Sequence, residues 1–177
     1  MKLPDPELIH RDAVCSLYYD SALPGSYVIW HGFASSAAFR ETCMRSLDLT
    51  REKRLYKSIA DARQMRVIGL SDQKWFTEEF LPMTVGLNIS PRSYSAVIVP
   101  NDFFGRQSLD SIIEQVNDAI LARYENYQAF TRYFDSYEDA RAWLLTVDAS
   151  TDAVTPSVAN VALPMAATDD PALAQAA

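Results

Sequence analysis

Four polar residues of this 177-residue chain stand where open α/β sheets do chemistry. Asp61 and Arg63 follow Leu55–Ala60, a run that reads as a strand, and Asn101 and Asp102 follow Tyr94–Val99, which reads as another. Ligands collect in the crevice outside the carboxyl ends of such strands. Asp61, Arg63, Asn101 and Asp102 are therefore the candidate ligand-binding residues, and an enzyme using this strand-end site would rely on Asp61 and Asp102. The competing reading makes Asp61 and Arg63 a local ion pair that fixes a loop, with Asp102 a turn residue. Ser71 and Ser108 read as caps of the helices that follow, whose first-turn N–H groups are able to hold an anion.

Other chemistries lack their residues. The chain has two histidines, His10 in a polar leader and His31 near a strand end, whereas a hydrolase triad or metal site usually draws on more. No Asp/Glu cluster has ligand spacing, so neither a metal nor a cofactor is expected, and no catalytic residue is assigned. The five glycines are scattered and form no phosphate-binding pattern. Cys15 falls in a strand-like run and Cys43 on the apolar stripe of a helix. Both read as buried small hydrophobes without a CxxC partner.

Charge and hydropathy narrow the classes further. A formal net charge of -7 repels phosphate backbones and anionic headgroups, so neither nucleic acid nor a membrane is an expected partner. The one basic cluster, Arg51, Lys53 and Arg54, reads as a solvated helix exit. No run approaches the roughly 18 apolar residues of a membrane span. The first residues lack the apolar stretch of a signal peptide, which gives a cytoplasmic expectation.

The elements that must position these residues follow from the patterning. Residues 1–12 read as a polar arm with prolines. Ala13–Tyr19 and Ser26–Phe33 are rich in β-branched and aromatic residues around Leu23-Pro24-Gly25, which predicts an antiparallel hairpin. A helix starting at Ser35 or Ser36 carries Phe39, Cys43 and Leu47 on one stripe. A second helix, capped by Ser71, carries Trp75, Phe76, Phe80 and Met83, and Pro82 limits or bends it. A third, from near Ser108, carries Leu109, Ile112, Ile113, Val116 and Ile120. Phe130–Phe134 is a last strand, and Ser136 with Asp139 forms a capping box ahead of Ala140, Trp143 and Leu144. Beyond Val147 the text turns to Ala, Thr, Ser, Pro and Asp without aromatics, which predicts a disordered tail over 147–177. The order implies an α/β domain over 13–146. Its sheet is mixed and largely parallel, with an antiparallel N-terminal hairpin and about four helices.

That order, with Trp30-His31-Gly32-Phe33, Ala60-Asp61-Ala62-Arg63-Gln64-Met65, Val99-Pro100-Asn101-Asp102-Phe103-Phe104-Gly105 and Arg132-Tyr133-Phe134-Asp135-Ser136, resembles the SpoIIAA-like or STAS family. The set looks like the small bacterial STAS-like proteins of unassigned function. The resemblance implies a non-enzymatic binding or regulatory protein acting through a protein partner or small ligand, with a homodimer left open. In anti-anti-sigma members a serine in Asp-Ser-Ser/Thr-Gly is phosphorylated at the start of the second helix. Ser71 stands in that context within Gly69-Leu70-Ser71-Asp72-Gln73, without the preceding Asp and following Gly, and is the candidate phosphorylation site.

Overall fold

The architecture, a computed structural model, describes residues 4–100 and 103–147. Six strands form one sheet in the order of the chain: β1 Glu7–Arg11, β2 Cys15–Asp20, β3 Gly25–Gly32, β4 Lys57–Met65, β5 Arg92–Ile98 and β6 Gln128–Phe134. The first three pair antiparallel and the last three join in parallel to β3. The expected α/β class, with its mixed sheet and antiparallel start, is what the chain adopts.

Helices connect the parallel strands. These are α1 Ser36–Lys53, a continuous rod made of α2 Leu70–Trp75, a π-helical turn Phe76–Phe80 and α3 Leu81–Gly86, and then α4 Phe103–Arg123. Because β3 to β6 step across the sheet in one direction, crossovers of the usual hand put all these helices on one face. That face holds Leu17, Val28, Trp30, Phe39, Cys43, Trp75, Leu109 and Ile112 in one cluster. The final helix, α5 Tyr137–Thr146, follows the last strand and is free of that constraint. It packs on β4, β5 and β6 and closes the second core of Leu23, Tyr27, Ile59, Tyr94, Ile98, Ala140 and Leu144.

Local chemistry explains the element ends. Ser35 caps α1 by accepting from the Ala38 N–H, and Ser136 caps α5 by accepting from Asp139 N at 3.1 Å. The π turn precedes Pro82, which has no N–H to give an α-helix and whose ring crowds the previous turn. Leu81 N–H reaches Phe76 O instead, and Pro82 follows the π turn as the second residue of α3 within the same rod. Gly25 opens β3 at a point where an added Cβ would collide with Leu23 Cδ1 and lie 3.2 Å from Lys57 O.

Three expectations change. The polar arm of residues 1–12 contains β1, an edge strand whose hydrogen bonds come from β2 and whose side chains, Leu8 and Ile9 included, are mostly exposed. An edge strand needs backbone partners rather than burial, so polar composition does not forbid it. Helix α4 begins at Phe103, a turn ahead of Ser108, and Ser108 lies buried inside it. The buried side of α4 centres on Leu109, Ile112 and Ile120, with Ile113 and Val116 half-buried at its flank. The tail from residue 148 lies outside the described residues. No helix among the described residues is long and apolar enough to cross a membrane.

Candidate functional site

Strand β4 carries Asp61 and Arg63 toward its carboxyl end, as expected, and they close on one another. Arg63 Nη2 donates to Asp61 Oδ2 at 2.7 Å and Nε donates to Oδ1 at 3.0 Å, while Arg63 N–H also donates to Oδ1. Tyr27 OH adds a 3.4 Å contact from β3. Asp61 is buried and its oxygens are occupied. The hydrogen bond to Asp61 raises the Arg63 pKa, and burial raises that of the Tyr27 hydroxyl, with the Asp61 charge adding to it. The pair stands as a self-satisfied ion pair beside a bulge, where Ile29 and His31 of β3 oppose Asp61 and Gln64 of β4. Asn101 and Asp102, the other half of the expected site, lie outside the described residues.

Ser71 is not a cap. Helix α2 starts two residues earlier than a Ser71 cap would place it, with extended Gly69 as its cap residue and Gly69 O accepting from Asp72 N and Gln73 N. A glycine caps through its backbone alone, a signal that Ser71 beside it obscured. Ser71 is exposed in the first turn, and its neighbour Asp72 is buried. Asp72 accepts from Ser36 Oγ at 2.6 Å and from Arg40 Nε at 2.8 Å, which locks the start of α2 to α1. Arg40 also lies over the Trp75 ring, 5.0 Å from its centroid. Ser71→Ala is accordingly expected to change stability by less than about 0.5 kcal/mol, as at other exposed positions, rather than by the cost of a lost cap. A urea-unfolding midpoint measures this directly.

The carboxyl edge of the sheet has another character that the sequence reading missed. Phe33 follows β3, Val67 and Leu70 follow β4, and Phe103 and Phe104 open α4 after β5. All five are exposed, Leu70 at 81% and Phe103 at 73%. Phe103 and Phe104 meet edge to face with ring centroids 5.7 Å apart. Between the β3 and β4 connections lies a cavity of about 10 Å³ lined by Trp30, Phe39, Met65, Val67, Ile68 and Asp72. It has room for about one water molecule. The readable signal was the adjacent pair Phe103-Phe104 at a strand exit, where one helical stripe cannot bury both rings.

Two polar groupings gather on the hairpin. On one face, Arg11 donates to Ser16 Oγ at 3.2 Å and to Tyr18 OH at 2.9 Å, and Ser16 Oγ lies 2.9 Å from His31 Nε2. At the β1–β2 turn, Asp12 Oδ1 accepts from Val14 N at 2.7 Å and Cys15 N at 2.8 Å, and its Oδ2 lies 3.0 Å from His10 Nε2. Burial opposes ionisation of Asp12, but these hydrogen bonds, that of His10 foremost, outweigh it and hold the pKa at about 2. Cys15 and Cys43 are both free and buried; burial raises the pKa of each thiol. His10, Asp12 and Cys15 are the described residues whose ligand atoms converge.

Set against known proteins, the chain matches no protein-family model, no curated protein and no solved structure.

Proposed function

We propose that this chain is a non-catalytic binding protein that docks a protein partner on the carboxyl edge of its sheet. The observation that carries this reading is the exposure of Phe33, Val67, Leu70, Phe103 and Phe104 on three successive connections. Apolar side chains gathered at one edge mark an interaction surface more often than a surface that meets only water. Aromatic residues are also the usual anchors of binding energy. Exposed Arg66 accompanies them on the β4 connection, which suits a partner that sets a carboxylate beside its apolar residues. A small-molecule site commonly occupies about 300–1,000 Å³. The cavity that the described residues line beneath this edge is far smaller, which supports a protein surface there. An enzyme built on Asp61 has less support, because both carboxylate oxygens are held by Arg63. The STAS-like resemblance agrees with a role through partners.

A second reading adds regulation at Ser71. Its support is position: Ser71 is exposed and follows Leu70, the most exposed apolar residue of the edge. A phosphate there would set close to two negative charges on the docking surface.

One set of variants tests both readings. Leu70→Glu and Phe104→Glu are expected to keep the melting temperature within a few degrees and to weaken partner binding at least about tenfold, a loss of about 1.4 kcal/mol. Unchanged affinity in both would remove the docking reading. Ser71→Asp should weaken binding similarly if Ser71 is a switch. Wild-type affinity for Ser71→Asp beside the loss in Leu70→Glu would leave docking without the switch.

A further inference from the structure

Three side chains of different ligand chemistry meet at the β1–β2 turn, at the end of the sheet where Cys15 pairs with Trp30 and Val14 O accepts from His31 N near the end of β3. His10 is the next-to-last residue of β1, Asp12 lies in the turn and Cys15 opens β2. Their ligand atoms all lie within 4.8 Å of one another. The turn is fixed by the chain itself, through Asp12 N–H donating to Cys15 O at 3.0 Å and through the two backbone N–H groups held on Asp12 Oδ1. With Oδ1 committed to the backbone, Oδ2 faces His10 Nε2.

We infer that this turn is a binding site for a divalent ion of the zinc class, with His10 Nε2, Asp12 Oδ2 and Cys15 Sγ as its three protein ligands. One imidazole, one carboxylate and one thiolate form a mixed set that zinc accepts, whereas magnesium and calcium take oxygen ligands. Donors around a tetrahedral zinc sit about 2.0–2.3 Å from the ion, hence roughly 3.5 Å apart. Closing the triangle from its present span needs side-chain shifts of about an ångström, with the metal taking the place of the His10–Asp12 hydrogen bond.

The surroundings have the form such a site requires. Thr42 Oγ1 of α1 donates to Cys15 Sγ at 3.3 Å, a supporting bond that orients the sulfur from behind. The carboxylate side of the cluster is open, with the Asp12 side chain 44% exposed, while Cys15 is sealed. An ion therefore has a way in from solvent and a buried sulfur at the end of it. Three protein ligands leave a fourth position for water or a group from another molecule, the arrangement of an open rather than a closed zinc site. On binding, the Cys15 thiol proton passes to solvent and the sulfur coordinates as thiolate.

Cobalt(II) titration of the metal-free full chain, followed by zinc displacement, tests the site. The expected spectrum has the intense visible bands of a four-coordinate cobalt ion and a near-ultraviolet thiolate-to-cobalt band, and stoichiometric zinc removes both. Cys15→Ser should lose the thiolate band. His10→Gln and Asp12→Asn, which alter partly exposed side chains, should each weaken cobalt binding about tenfold or more with unchanged circular dichroism; they carry the test if Cys15→Ser fails to fold. A weak spectrum like that of hydrated cobalt in the wild type would overturn the site. So would a thiolate band that survives Cys15→Ser and vanishes in Cys43→Ser, or wild-type binding by both His10→Gln and Asp12→Asn.

Discussion

Replacing Arg141 with alanine is expected to cost about 3–5 kcal/mol of stability, the usual penalty for leaving one charge of a buried pair without its partner. Arg141 lies on α5, and its guanidinium grips Asp20 at the end of β2 through both Nε and Nη2. The Asp20 side chain is 2% exposed and that of Arg141 is 15% exposed. Asp20 also accepts from Ala22 N at 2.9 Å and lies within 3.5 Å of Tyr137 OH. The pair therefore ties the β2–β3 turn to the helix that closes the second core. Stripped of Arg141, the carboxylate must be protonated or drag water into that core. Asp20→Asn with Arg141→Met should together cost less than Arg141→Ala alone, because no buried charge remains. Urea unfolding of the three variants gives the comparison. A loss below about 1 kcal/mol in Arg141→Ala would show that the pair is open to water.

Leu144→Ala is expected to cost about 2–5 kcal/mol, the range for truncating a buried leucine. Leu144 is fully buried under α5, against a cluster that includes Ile59, Tyr94 and Ile98. Among the described residues α5 is the helix that packs on β4 to β6 on this face, so no described neighbouring helix stands ready to fill the gap. Leu145, one residue on, is 39% exposed, and Leu145→Ala should stay within about 0.5 kcal/mol. Equal losses at the two positions would mean that the phase of α5 on the sheet is wrong.

How far the fold could be read from residues depended on how each element is held. Strands β2, β3 and β5 are buried by their own side chains, so runs such as Tyr94–Val99 announced them. Strand β1 is held by backbone hydrogen bonds at an edge, and Glu7–Arg11 carries little apolar signal for a reader to find. Strand β4 runs to Met65 rather than ending at Ala60, because the bulge opposite Ile29 and His31 lets Asp61 to Gln64 stay in the ladder. The start of α2 was misplaced because a glycine cap leaves no side-chain signature, whereas the Ser35 and Ser136 caps were legible. Helix burial followed its periodicity in α1, where Phe39, Cys43 and Leu47 are all buried.

The candidate site was legible in place and less so in content. The strand-end rule brought attention to Asp61 and Arg63, but spacing alone cannot tell a ligand-binding pair from two side chains that satisfy each other. The apolar edge needs the topology, since Phe33, Leu70 and Phe103 stand far apart in the chain and share an edge because β3, β4 and β5 are parallel neighbours. His10, Asp12 and Cys15 fit no familiar ligand spacing. A tight turn between antiparallel strands brings them together.

Site-specific photocrosslinking in the cells that make the protein tests the docking surface most directly. A benzophenone side chain would be placed at Leu70, at Phe104 and, as a control, at exposed Glu125 beyond the far end of α4. The account predicts that Leu70 and Phe104 capture the same protein, that Glu125 does not, and that the captured protein binds the purified chain at least about tenfold more weakly when Leu70→Glu is introduced. Capture of a second copy of this chain, or equal capture from Glu125 and the two edge positions, would contradict it. So would a captured protein that binds Leu70→Glu and Phe104→Glu as tightly as the wild type.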